Sequence, residues 1–131
     1  MGSLSKFSGI RAKFGSKVDF ITVYIEEAHP SNKDHFKGNI DIQTHQHLQD
    51  RLEAARYLRS EAAEDLKGCP ILVDRMDDAA NKAYGAHPER LYAILDGNIV
   101  YEGGMGPFNY SIEDLENCLE TRLNMENTKS C

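Results

Sequence analysis

The run Tyr24-Ile25-Glu26-Glu27-Ala28-His29-Pro30 sets two carboxylates and an imidazole within one short stretch of chain. A histidine titrates near neutral pH, and an adjacent carboxylate raises its pKa and selects which ring nitrogen carries the proton, so His29 is a candidate general acid or base. The plainer alternative makes Glu26 and Glu27 solvated loop charges and His29 a loop residue packed by Pro30. His35, His45 and His47 follow. If both were helical, His45 and His47 would point about 200° apart, whereas in a strand they would share one face. Zinc needs three or four converging ligands, and nothing here has the usual spacing, so no metal site is expected. Further along, Arg90 ends the run Tyr84-Gly85-Ala86-His87-Pro88-Glu89-Arg90. Its guanidinium suits a carboxylate held by two parallel hydrogen bonds, and a surface pairing with Glu89 or Glu102 is the competing reading. Cys69, Cys118 and Cys131 cannot all pair within one chain, and none has CxxC spacing. Cys69, ahead of Pro70, reads as a small buried hydrophobe. Gly103-Gly104-Met105-Gly106 reads as a bend and not a phosphate cradle, because no strand-to-helix context or Lys-Ser/Thr follows.

These residues need elements to hold them. Leu4, Phe7, Ile10 or Arg11, and Phe14 recur at helical spacing before Gly15, predicting a short first helix. Asp19 to Ile25 is dense in β-branched and aromatic residues and predicts a strand buried on both faces. From Glu26 to about Gln43 the composition turns polar, which at this length predicts a functional loop or lid. Leu48, Leu52, Ala55, Leu58 or Arg59, Ala62 and Leu66 trace one face of a long helix closed by Lys67-Gly68. Pro70 to Asp74 suits a second central strand. Asp77 or Asp78 caps a short helix through Ala79, Ala80 and Ala83, and Gly85 ends it. Leu91–Leu95 and Asn98–Glu102 flank Asp96-Gly97, the favoured two-residue hairpin turn. Ser111 with Asp114 makes a capping box for a last helix carrying Ile112, Leu115, Leu119 and Leu123 on one side. Residues 125–131 form a polar tail expected to fray.

The order is helix, strand, helix, strand, helix, hairpin, helix. The fold class is therefore α/β, with a central mixed sheet flanked by helices, which describes a thioredoxin-like fold lacking its first strand. In open α/β sheets ligands bind beyond the carboxyl ends of strands, so Tyr24 to Pro30 occupies the favoured place. The length of 131 residues fits a single domain over 1–131. With 15 Lys and Arg against 21 Asp and Glu, the net charge of −6 opposes default attraction to nucleic acid or to an anionic membrane. No stretch approaches a membrane span, and no signal peptide is apparent, so the chain as written reads as soluble and cytoplasmic. Met1-Gly2-Ser3-Leu4-Ser5-Lys6 carries Lys6 where a myristoylation start wants Ser or Thr.

Several segments taken together resemble the iodothyronine deiodinases. They are Val18-Asp19-Phe20 onward through the Glu26-Glu27-Ala28-His29-Pro30-Ser31 run; Asp50-Arg51-Leu52 with Ala54-Ala55-Arg56; Gly68-Cys69-Pro70 with Val73-Asp74 and Met76-Asp77; Ala83-Tyr84-Gly85-Ala86; Glu89-Arg90-Leu91-Tyr92; and Tyr101-Glu102-Gly103-Gly104 with Gly106-Pro107. The resemblance implies a thioredoxin-like scaffold that removes iodide reductively from thyroid hormone. Its substrate would be a small iodothyronine, with no bound cofactor and an external thiol as reductant. By the same resemblance His29 handles the phenol or its proton, and Glu27 and Tyr24 surround it. His45 and Arg90 resemble the clamp on the amino acid end of the hormone, and Cys69 matches a cysteine that helps regenerate selenium.

Family members carry a selenocysteine run just before the first helix and a membrane anchor at the amino terminus. The expectation is that no residue of this chain is the nucleophile, and that Met1 is a false start after a codon read as stop. Asn32-Lys33-Asp34 stands where the family has Asp-Gly-Trp, and Pro88 where it has an aromatic residue, so the hormone pocket would differ. Two rival expectations stand beside this one. The chain could be a non-catalytic module that binds an iodinated phenol or a partner subunit, including a second copy across an open sheet edge. It could also be a thiol-dependent reductase of another substrate, such as a peroxide.

Overall fold

The structure, a computed structural model, describes residues 2–27, 45–106 and 108–129, with side chains from Leu4 to Asn124 within those spans. The elements are α1 (Gly2–Phe14), β1 (Thr22–Tyr24), α2 (Leu48–Glu61), β2 (Ile71–Val73), α3 (Ala79–Tyr84), β3 (Tyr92–Leu95), β4 (Asn98–Glu102) and α4 (Ile112–Lys129). Their order is the one the sequence predicts. The stretch expected to form a lid lies, beyond Glu27, outside the described residues.

The apolar periods decide what packs on what. Ile10 and Phe14 on α1 bury themselves against Ile112, Leu115 and Leu119 on α4, and Phe20, Leu91, Ala93 and Tyr101 close around them. Each such side chain contributes roughly 1.5–3 kcal/mol when fully buried, so this seam holds α1 and α4 under the β3–β4 hairpin. Lys6 pairs with Glu113 at 2.9 Å and Lys13 with Glu116 at 3.0 Å along its rim. These pairs face solvent and add little. α2 packs against β2, and Ala54 and Ala55 on α2 are buried, as are Ala62, Leu66 and Cys69 in the connection between the two elements.

β1 and β2 pair in parallel, Thr22 with Ile71, Val23 with Leu72 and Tyr24 with Val73. The ladder is extended by Thr22 N–H to Pro70 O at 3.0 Å and Asp74 N–H to Tyr24 O at 2.8 Å. β3 and β4 form the predicted hairpin, with Asp96 and Gly97 both at positive φ (51° and 79°), as a primed two-residue turn requires.

Three expectations need correction. The described strands make two separate two-stranded sheets instead of one central mixed sheet, because β1 bonds only to β2 and β3 only to β4. β1 and β2 are not covered on both faces: α2 packs against β2, while the cross-strand neighbours Val23 (44 % exposed) and Leu72 (52 %) stand open with Ile21. The second helix ends at Glu61 and not near Leu66, since Ala62 leaves helical geometry at φ −110°, ψ 35°. Leu66 is still fully buried, because Leu66 N–H to Ala62 O (2.9 Å) and Cys69 N–H to Leu66 O (3.0 Å) wind the following turns back onto the core. Of the two capping candidates for α3, Asp78 stands in the left-handed region and its side chain makes no cap, so the role falls to Asp77. The donors there go to Asp77, which accepts Ala79 N–H, and to Asp74, which accepts those of Ala80 and Asn81. At the last helix Ser111 Oγ accepts Asp114 N–H at 3.2 Å as predicted, and α4 continues to Lys129, across residues 125–129 of the expected tail.

Candidate functional site

β1 and β2 run in parallel, so their carboxyl ends open onto one edge, and there the chain gathers its titratable side chains. Tyr24, the last residue of β1, donates its phenol to Glu27 Oε2 at 2.6 Å. Burial first, and the neighbouring Glu27 carboxylate second, push the Tyr24 hydroxyl far above the usual phenol range, so it remains a donor. The Tyr24 ring lies 5.9 Å from the imidazole of His45, tilted by 39°.

His45 reaches this place because of how α2 begins. Asp50, in the first turn, takes the backbone N–H groups of Gln46 and His47, both at 3.0 Å, and those bonds hold its carboxyl below the usual range. His47 is extended and exposed, and His45 turns inward. The two histidines thus part company outside any helix, and the helical angle between them does not arise. His45 Nδ1 accepts a hydrogen bond from Arg51 Nε at 3.1 Å. Burial and the Arg51 charge lower the His45 pKa, against opposing pulls from Glu27, Asp50 and Asp78.

Arg51 is 3 % exposed. It donates through Nη1 to the carbonyls of Arg75 (2.9 Å) and Asp74 (3.3 Å) and meets Asp78 Oδ1 at 3.1 Å. Glu26 points elsewhere: its Oε1 accepts from Asn81 Nδ2 at 3.1 Å and lies 3.5 Å from His87 Nδ1. Asn81 Oδ1 in turn accepts His87 N–H at 2.9 Å. The end of β1 is thereby tied to the connection that carries Arg90. Both glutamates have specific protein partners, which departs from the reading of them as free loop charges.

Arg90 is held by the hairpin mouth. Its Nε donates to Gly103 O at 2.7 Å, Nη1 to Tyr84 O and Gly85 O at 3.3 and 3.2 Å, and Nη2 to Glu102 Oε1 at 2.8 Å. A side chain on Gly103 would stand 2.8 Å from Leu91 O, so only glycine permits that approach. The pairing with Glu102 is the alternative anticipated from position, and Glu102 is itself 58 % exposed. The carbonyl bonds fix the arm, while the outward Nη2 partner is a solvent-facing carboxylate.

The structure brings together Tyr24, Glu27 and His45. His29 lies outside the described residues. Cys69 stands apart: its thiol contacts Thr22 Oγ1 and Phe20 O, both at 3.5 Å, at the amino ends of the strands. That is four residues, or about 13 Å, along β2 from Val73. Arg51, Asp74 and Asn81 are the residues the sequence reading missed. The available signal was a charged Arg51 lying between Leu48 and Ala55 in an otherwise apolar helical stripe. Among the described residues no group of three His, Cys, Asp or Glu side chains converges as metal ligands would, and no helix is long and apolar enough to cross a membrane. A cavity of about 610 Å³ opens at the amino ends of β1 and β2, beside Ser8, Arg11, Asp19, Lys67 and Gly68. The Arg11 guanidinium is already bonded there to Asp65 O and Lys67 O.

Comparison with known proteins completes the description. The family model for iodothyronine deiodinases matches residues 1–123. The chain is 46 % identical over 127 residues to the thyroxine 5-deiodinase of Gallus gallus, covering 94 % of this chain and 48 % of that protein. It is 39 % identical over 119 residues to the type I iodothyronine deiodinase of Xenopus laevis, covering 91 % of the chain and 46 % of the relative. With the type II iodothyronine deiodinase of Petromyzon marinus the identity is 42 % over 118 residues, 90 % of the chain and 41 % of the relative. The chain therefore spans about half the length of these curated relatives or somewhat less.

Proposed function

Because the chain belongs to the iodothyronine deiodinase family, we propose that it supplies the hormone-binding and proton-handling side of a site that removes iodide reductively from an iodothyronine. The observation that carries this reading is the convergence of Tyr24, Glu27 and His45 at the carboxyl ends of the parallel strands. An aryl iodide and two thiol equivalents give the deiodinated ring, a disulfide or its selenium counterpart, and hydrogen iodide. The reductant is an external thiol, and the nucleophile is a selenocysteine or cysteine as the family resemblance implies.

In this reading the Tyr24–Glu27 pair orients donors at the edge of the pocket, and His29 handles the proton of the hormone phenol. His45 and Arg90 hold the amino acid end: the hormone carboxylate replaces Glu102 as the partner of Arg90 Nη2, which costs only an exposed ion pair. Cys69 keeps a packing role, because reaching the site would require it to leave Thr22 and Phe20. The scaffold is thioredoxin-like: a strand lying between β1 and β3 would join the two ladders into one mixed sheet. The open face at Ile21, Val23 and Leu72 supports association of two copies.

The test places the selenocysteine- or cysteine-bearing segment of a relative ahead of residue 2 and assays iodide release with a small dithiol. Release is expected, and His29→Ala should lower kcat roughly 100-fold or more, as for loss of a general acid or base. No release from any of several iodothyronines by the folded fusion would contradict the reading.

A further inference from the structure

Arg51 is a charged side chain buried in the apolar face of α2 and pinned at several points. Nη1 is held by the carbonyls that follow β2 and by the Asp78 carboxylate, and Nε faces His45 Nδ1 at 3.1 Å. A guanidinium has donors only and does not deprotonate, so the ring nitrogen opposite it must be the one with a lone pair. We infer that Arg51 is a positioning residue that keeps His45 neutral with its proton on Nε2, so that His45 serves the site as a hydrogen-bond donor and not as a proton carrier.

Three further observations agree. Nε2 of His45 is buried with no hydrogen-bond partner among the described residues, which is a costly arrangement for a donor until an acceptor arrives. The Tyr24 ring neighbours the imidazole that the Arg51 contact orients, with centroids 5.9 Å apart. The charges that face His45 are Arg51 and Asp50 from α2, Glu27 from the end of β1 and Asp78 from the start of α3. The three carboxylates favour a charged ring, but burial and the directly bonded Arg51 outweigh them. A second proton on Nδ1 would oppose two N–H donors at hydrogen-bond distance. The acceptor that suits Nε2–H is an anionic oxygen, here the carboxylate of the ligand. That last step rests on the proposed hormone site, whereas the tautomer does not.

The experiment is nitrogen-detected NMR of the histidine rings in the whole chain without ligand, with His45 assigned through His45→Gln. The result expected is a protonated Nε2 and a bare Nδ1 at neutral pH, persisting on acidification past the ordinary histidine range. An Nδ1–H tautomer, or a doubly protonated ring at neutral pH, would overturn the inference whatever the ligand is. Arg51→Lys keeps the positive charge but removes the planar fork; the folded variant should show mixed tautomers and a titration moved up toward the ordinary value. An unchanged ring in that variant would also overturn it, and if the variant does not fold the wild-type spectrum decides. In the iodide-releasing fusion Arg51→Lys should raise KM roughly tenfold, the size of one hydrogen bond, with kcat little changed. A correct tautomer with an unmoved KM would refute the hormone contact and leave the positioning role standing.

Discussion

Asp74→Asn is the sharpest perturbation of the scaffold behind the site. Asp74 is 4 % exposed and follows β2 directly. Its Oδ1 accepts the N–H groups of Arg75 and Ala80 at 2.9 Å each, and Oδ2 accepts that of Asn81 at 3.0 Å. An asparagine keeps one carbonyl oxygen for the first two donors and turns its own NH2 against the third. The loss is one buried charge-assisted hydrogen bond plus an opposed pair of donors, roughly 2–3 kcal/mol. For a chain of this size that lowers Tm by about 10 °C. The pH dependence follows from the same contacts. Burial pushes the Asp74 carboxyl up, but the three backbone donors and Arg51 more than offset it, so the folded-state value lies below the usual one. A depressed carboxyl contributes stability that is complete above the unfolded value near ~3.9 and is lost as pH falls through the folded value. Urea unfolding of both proteins from pH 7 down to pH 3 checks this. The gap between them should be flat above about pH 5 and close in acid below ~3.9. Equal stability at pH 7, or a gap that persists undiminished in acid, would refute the role given to Asp74.

Two further outcomes are expected. Burial raises the Tyr110 hydroxyl to about 12 and carries Tyr24 higher still. Both phenols lose protons more readily when unfolded, so stability is full below pH ~10 and falls as pH rises beyond it. Tyr24→Phe should reduce that alkaline loss, read by urea unfolding between pH 9 and 11, ~1 unit either side of the free phenol value; an unaltered slope would count against the Tyr24 environment. Leu72→Asp should shift a concentration series in sedimentation toward monomer, because Leu72 and Val23 form the open face of the β1–β2 pair. Wild-type protein that is monomeric throughout would remove the case for association.

Element order was legible in the sequence because each period was clean: Ile10 and Phe14 on α1, Leu115 and Leu119 on α4, and Asp96-Gly97 in the hairpin. The end of α2 was not, since Leu66 keeps the apolar period while the backbone has already left the helix at Ala62. Exposure of Val23 and Leu72 was hidden for a related reason: a run of β-branched residues looks the same whether one face or two are covered. At the site, Glu27 stood out by type beside His29, while Tyr24 and the clamp role of His45 came only from the family resemblance. Their organiser, Arg51, showed only as a charge in the apolar stripe of α2, and its role stayed hidden because its partners are carbonyls of residues 74 and 75 and a histidine ring across a loop, and backbone acceptors leave no trace in side-chain identity. The same holds for Arg90, whose orientation is set mainly by the carbonyls of Gly103, Tyr84 and Gly85.

The most direct test is to titrate thyroxine into this chain and follow backbone amide shifts residue by residue. Saturable changes at Tyr24, Glu27, His45 and Arg90, with Ser8 and Gly68 beside the amino-end cavity unmoved, are the predicted result. Saturable changes confined to that cavity, or none anywhere, would contradict the placement of a hormone site at the carboxyl ends of β1 and β2.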